Sequence, residues 1–202
     1  GKTTALKAVM GHLPLSGGKV ILAGQDLGGL APHEIPRLGI GYVPQGRRLF
    51  GDMTVAENLE IGLLARKSPR TVRDRVLAAF PRLGERLGQR AATLSGGEQQ
   101  MLAMGRALCL EPSVLLLDEP AAGCNSVETE EVDALIRRVA DNGIAVVLVE
   151  HDMKLVMKIS DRILVLSRGE PLTEGTPQEV RDNPAVHEAY LGRHGSREAA
   201  RA

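Results

Sequence analysis

Five short stretches of this sequence hold residue types that could act on a phosphate. Gly1-Lys2-Thr3-Thr4 matches the end of G-x-x-x-x-G-K-[ST], and Ala5, Leu6, Val9 and Met10 behind it have the spacing of a helix that stops near Gly11. The first amides of such a helix face an anion placed before it. Lys2 would reach terminal phosphates, and the Thr3 hydroxyl could ligate magnesium. A capped surface helix explains the same four residues equally well. The second stretch, "SVLLLDEP" from Ser113 to Pro120, is an apolar strand ending in two carboxylates. That is the sheet edge where open α/β folds place their ligands. Asp118 suits the outer coordination sphere of magnesium, and Glu119 suits polarising an attacking water. The competing reading is a strand that ends in a polar turn.

In "TLSGGEQQM", Ser95 and Glu98 stand three apart before a helical run, the capping-box spacing, which stabilises a helix start by about 1 kcal/mol. Capping does not require Gly96 and Gly97. Their bare amides would let a phosphate dock on Ser95 and the two glycines. Gln45, in "GYVPQGRRLF", falls where a strand gives way to a helical segment; its amide can ligate a cation or orient water. His151 directly follows "VVLVE". A lone histidine is more often structural, but after a strand it could contact a γ-phosphate.

The elements that must position these residues are legible from periodicity. "SVLLLDEP" and "IAVVLVEHD" are short apolar runs, as expected for parallel strands buried on both faces. Each precedes a helix: Glu128 to Val139, with Val132, Leu135, Ile136 and Val139 on one face, and "MKLVMKIS". "DRILVLSRGE" reads as a strand and turn, and "TPQEVRDN" as a short capped helix. Strand and helix alternation defines an α/β domain. Residues 46–94 differ, because "VAENLEIGLLARK" and "VRDRVLAAFPRLGERL" are helix-like and amphipathic and no strand of comparable strength lies between them. The expected organisation is a core from residues 1–45 and 95–192, a helical insertion from 46–94, and a polar, frayed tail from 193–202.

Composition excludes several function classes. Lys plus Arg equals Asp plus Glu at 25 each, which disfavours broad attraction to nucleic acid or an anionic membrane. Two Phe, two Tyr and no Trp argue against a base-stacking single-strand binder. Cys109 and Cys124 are far apart, fitting two isolated buried thiols in a reducing compartment without structural zinc. No apolar run approaches the roughly 20 residues needed to span a bilayer. No signal segment opens the sequence, so the default location is cytosolic.

Taken in order, Gly1-Lys2-Thr3-Thr4, Gln45, Leu94-Ser95-Gly96-Gly97-Glu98-Gln99-Gln100, Leu115 to Pro120 and His151 resemble the nucleotide-binding subunit of ABC transporters. The resemblance implies an α/β P-loop NTPase core with a parallel sheet and an inserted helical subdomain. It implies ATP and Mg2+ as ligands. Gly1, Lys2, Thr3, Thr4, Ser95, Gly96, Gly97, Gln99 and Asp118 would bind the nucleotide, and Thr3, Gln45 and Asp118 would serve the metal. Glu119 would be the catalytic base, with His151 and Gln45 completing the catalytic set.

The same resemblance implies a head-to-tail dimer, with ATP on Lys2 and Thr3 of one subunit closed over by Ser95 and Gly97 of a second ATPase subunit. It also implies integral membrane permease subunits, a solute-binding protein acting indirectly, a peripheral place on the cytoplasmic face of the plasma membrane, and no nucleic acid. "YVPQGRRLF", "MTVAENL" and "TLSGGEQQMLAMGRAL" resemble one of the two ATPase subunits of branched-chain amino acid importers. "DEPAAGCN", "VEHDMKLVMKISDRILVL" and "EGTPQEVRDNPAVHEAYLG" resemble its companion more. Asn125 stands where most of the wider family has an aspartate.

Two alternatives accompany this reading. One is a soluble ABC-type ATPase of translation or DNA repair. Against the repair type, Lys2 and Ser95 are 93 residues apart with no heptad run between them; against the translation type, only one cassette is present. The other is an inactive fragment. Members of the family carry residues before the position of Gly1, including the strand that feeds the phosphate loop, the first glycine of that loop and an aromatic that stacks on adenine. The sequence reading therefore expects a truncation within the loop and weak ATP binding by the 202 residues alone.

Overall fold

The computed structural model describes residues 1–189, so the expected tail lies outside the described residues. By contacts the chain falls into two units, Thr3–Glu150 and a second made of Gly1–Lys2 with the described residues from His151 onward.

The larger unit opens on α1 (Lys2–Val9), which buries Leu6, and the chain leaves it through Gly11 at φ 69°, a left-handed conformation that glycine adopts without steric cost. Two short paired strands follow, β1 (Ile21–Leu22) and β2 (Gln25–Asp26), neither of which periodicity signals. Then comes β3 (Ile40–Val43). The helical segment contains α2 (Val55–Arg66), α3 (Arg70–Ala79) and α4 (Pro81–Gly84), and no strand is found among residues 46–94. "VRDRVLAAFPRLGERL" is not one helix. Phe80, at φ −125° and ψ 69°, separates α3 from α4 because Pro81 pushes the residue before it out of the helical region.

Next are α5 (Gly96–Leu108), β4 (Val114–Asp118), α6 (Ser126–Asp141) and β5 (Ala145–Val149). β3, β4 and β5 pair in parallel with β4 central, Ile40 opposite Val114 and Val114 opposite Ala145. The expected burial on both faces holds for β4, where Leu115 and Leu117 on one face and Leu116 on the other are all buried. It fails for β5, where Val147 is 48% exposed. The two exposed positions of β5, Ala145 and Val147, lie on one face, whereas β3, equally an outer strand, has no exposed position. In α6, Val132, Leu135, Ile136 and Val139 are buried as their spacing predicts, and the helix starts two residues earlier than the apolar pattern because Asn125 caps it.

Gly62 shows how tightly the helical segment is packed. A Cβ built there would stand 2.8 Å from Cys109 Cβ and closer still to the Arg106 carbonyl, so α2 crosses α5 nearly backbone to backbone. Gly62→Ala is expected to cost about 1–3 kcal/mol, read as a lower urea midpoint with an unchanged slope. Cys109, just beyond α5, is buried, and burial pushes its thiol up to about 12. Cys124 is only half-buried, which corrects the expectation of two buried thiols.

The second unit contains α7 (Met153–Ile159), capped by Asp152, whose carboxylate accepts from the Lys154 and Leu155 amides. β6 (Ile163–Ser167) and β7 (Glu170–Gly175) form an antiparallel hairpin turned at Arg168 and Gly169, both at positive φ. This is the mirror-image turn that matches strand twist. α8 (Pro177–Arg181) has the Thr176–Glu179 capping box. Ile163, Val180 and Val186 form the small core of this unit.

Candidate active site

The end of β4 gathers four of the sequence-predicted residues. Thr3, in the first turn of α1, donates its hydroxyl to Asp118 Oδ1 at 2.9 Å, across 115 positions of chain. Asp118 is 1% exposed, and its Oδ2 is buried with no hydrogen-bond partner among the described residues. The Tyr42 hydroxyl on β3 is likewise buried without a bond of normal geometry. Burial raises its pKa, and the neighbouring charge of Asp118 and a hydrogen-bonding contact with that carboxylate, short of ordinary geometry, add to the rise. A buried carboxylate oxygen left without a partner costs about 1–3 kcal/mol. The Asp118 carboxylate with the Thr3 hydroxyl on its Oδ1 is a pair of oxygen groups suited to a hard cation such as Mg2+. Among the described residues no group of three or more His, Cys, Asp or Glu could hold a metal.

Glu119 follows directly and sits at φ 51°, an uncommon conformation for a residue with a side chain. Its amide donates to Val149 O at 2.9 Å while its own carbonyl accepts from Ala122, so the chain turns sharply as it leaves the sheet. Backbone strain of this kind costs on the order of 1–3 kcal/mol and concentrates at functional sites. It turns the carboxylate toward Gln45, whose Nε2 donates to Glu119 Oε2 at 2.6 Å. Gln45 itself is exposed, in the loop after β3.

Ser95 caps α5 in a full capping box: its hydroxyl accepts from the Glu98 amide, and Glu98 accepts from the Ser95 amide. Arg86 pairs with Glu98 at 2.8 Å. The glycines have a packing reason that sequence reasoning missed. A Cβ on Gly96 would stand 2.9 Å from the Gly123 carbonyl, and one on Gly97 would stand 2.8 Å from Glu128 Cγ. Gln99 turns inward, its Nε2 donating to the Ala91 and Leu94 carbonyls at 3.3 Å.

Two further residues were not singled out from the sequence. Arg47, at φ 65°, donates to Gln99 Oε1 at 3.2 Å and to the Ala122 carbonyl at 2.9 Å, tying the Gln45 loop to α5 and to the turn after β4. Nothing in its sequence context signals this. Glu128 accepts from the Gly97 amide at 3.0 Å. Its signal was available in the N-cap spacing Asn125-x-x-Glu128. Lys2 opens α1 immediately before Thr3, Gly1 precedes it, and Thr4 is exposed on the helix. His151 lies two residues past β5 and is exposed. Lys2 and His151 belong to the second unit, and Thr3, Gln45, Asp118 and Glu119 to the first.

A threonine at a helix start bonded to the carboxylate that ends a central parallel strand, with a second carboxylate next in sequence, defines an α/β nucleotide hydrolase. The comparisons narrow the class. The family described as ABC transporter matches residues 1–122, and one described as Branched-chain amino acid ATP-binding cassette transporter matches residues 170–196. The chain is 41% identical to the high-affinity branched-chain amino acid transport ATP-binding protein LivG of Escherichia coli over 211 residues. It is 42% identical to the protein BraG of Pseudomonas aeruginosa, described in the same words. Each match covers 95% of this chain and 83% of the relative. The crystal structure of the ADP conformation of MJ1267, an ATP-binding cassette of an ABC transporter, superposes with a TM-score of 0.84 at 26% identity, over 95% of this chain and 84% of that one. The chain belongs to the ATP-binding subunits of ABC transporters, a family of ATPases.

Proposed function

We propose that this chain hydrolyses ATP to power an importer of branched-chain or related amino acids. The observation that carries the reading is the convergence of Thr3, Asp118, Gln45 and Glu119 on the end of β4, with one buried carboxylate oxygen unpartnered and one carboxylate held by an amide. Lys2 and the amides at the start of α1, with Gly1 and Thr4 beside them, hold the terminal phosphates. Thr3, Asp118 and Gln45 serve Mg2+, which when bound neutralises charge on the phosphates. Glu119 accepts a proton from the attacking water, Gln45 orients that carboxylate, and His151 steadies the γ-phosphate.

The nucleotide is closed over by Ser95, Gly96, Gly97 and Gln99 of a second ATPase subunit arranged head to tail. The helical segment 46–94 passes the resulting motion to permease subunits, which places the protein at the cytoplasmic face of the membrane. A solute-binding protein would act through those permease subunits. No helix among the described residues is long and apolar enough to cross a membrane, in keeping with such an attachment. The solute class draws support from the names of the relatives and from the match at residues 170–196.

The test is uptake into proteoliposomes holding the assembled transporter. ATP inside and a branched-chain amino acid with its binding protein outside are expected to give accumulation that stops without ATP. ATP turnover with no uptake of leucine, isoleucine or valine would remove the solute assignment and leave the ATPase assignment standing.

A further inference from the structure

One carboxylate in this structure is shared between two helix starts. Glu128 Oε2 accepts from the Asn125 amide at 3.0 Å, closing the capping box of its own helix α6. Glu128 Oε1 accepts from the Gly97 amide at 3.0 Å, at the start of α5. The Gly97 amide, the Asn125 amide and the adjacent Ser95 hydroxyl, in that order of effect, hold the Glu128 carboxyl below the usual carboxylate range. Arg47 adds its positive charge nearby. The approach is close enough that the α carbon of residue 97 can carry no side chain without moving Glu128.

Capping α6 requires only one of these oxygens. The second sits on the Gly97 amide, which with the Ser95 hydroxyl belongs to the face that the reading above has closing over the ATP of the other subunit, where a bare amide suits a phosphate oxygen. A carboxylate oxygen and a phosphate oxygen are both anionic acceptors and compete for one N–H donor. We propose that Glu128 is an internal stand-in for the γ-phosphate: it keeps the start of α5 occupied until the nucleotide of the facing subunit displaces it, and so sets the ATP concentration needed for dimer closure.

This inference rests on the reading of Ser95 and Gly97 as the closing face of the nucleotide site. Displacement frees Oε1 without breaking the cap on α6, so the exchange trades the Gly97 amide and Ser95 hydroxyl contacts for phosphate contacts and is reversible. It also links closure to α6, because the segment Glu119 to Asn125 that joins β4 to α6 has Glu119 at one end and the Asn125 cap at the other. A purely structural Glu128 makes a different forecast, since glutamine serves a capping box as well as glutamate does.

The experiment measures the ATP concentration giving half-maximal ATP turnover by the assembled transporter, for wild type, Glu128→Gln and Glu128→Ala. The stand-in role predicts a fall of about threefold for Gln, whose single neutral acceptor oxygen can serve only one of the two amides, and about tenfold for Ala, which vacates both. An unchanged value for Gln with a raised one for Ala would overturn it and leave Glu128 as a cap. Ser95→Arg is run in parallel and is expected to abolish turnover. If Ser95→Arg abolishes turnover while the Glu128 variants bind ATP no more tightly, the stand-in role alone fails. If Ser95→Arg turns over normally, the closing-face reading fails and takes the proposal with it.

Discussion

Glu119→Gln is expected to lower ATP turnover of the assembled transporter by about 10²- to 10⁴-fold while ATP still binds. The substitution preserves what the structure shows around the side chain. An amide oxygen still accepts from Gln45 Nε2, the volume is unchanged, and the turn after β4 is held by the same backbone bonds to Val149 and Ala122. Only the capacity to take a proton is lost. The positive φ of Glu119 turns the side chain from the sheet toward the Gln45 loop. Rapid-quench measurement of one round of hydrolysis separates the two quantities, with ATP retained on the protein and phosphate release slowed.

Asp118→Asn should separate stability from activity in opposite directions. Asp118 is buried with one oxygen bonded to Thr3 and the other without a partner among the described residues. An amide in its place keeps the acceptor for Thr3 and offers an N–H to the Tyr42 hydroxyl that the carboxylate faces. Removing the unsatisfied oxygen is expected to raise nucleotide-free stability by about 1 kcal/mol, or about 2–4 °C in melting temperature. The same change takes negative charge from the magnesium position. Turnover is expected to fall on the order of 10²-fold or more, and the thermal stabilisation that Mg2+ adds to ATP should vanish. A variant that melts lower and hydrolyses normally would show Asp118 to be a structural carboxylate.

Sequence and structure agree where local signals are strong. β4, β5, α6 and α7 follow from apolar runs and helical spacing, and the capping boxes at Ser95 and Thr176 were readable from S-x-x-E and T-x-x-E. β1 and β2 escaped because two-residue strands carry no period. The break at Phe80 was written in Pro81 yet lost inside an amphipathic pattern. The bonds Thr3 to Asp118 and Gln45 to Glu119 span 115 and 74 positions, so residue types could nominate them but no local rule could pair them. The bridging by Arg47 and Glu128 was less legible still. It arises from the close approach of α5 and the turn before α6, and the sequence shows that approach only as two glycines whose purpose is ambiguous.

The most direct test of the central claim, that the end of β4 with Thr3 forms an ATP-hydrolysing centre, is phosphate release from ATP by the assembled transporter with and without Mg2+, in wild type and Glu119→Gln side by side. The account predicts saturable release by the wild type that requires Mg2+ and nearly disappears in the variant. Equal release by the two proteins, or release indifferent to Mg2+, would contradict it.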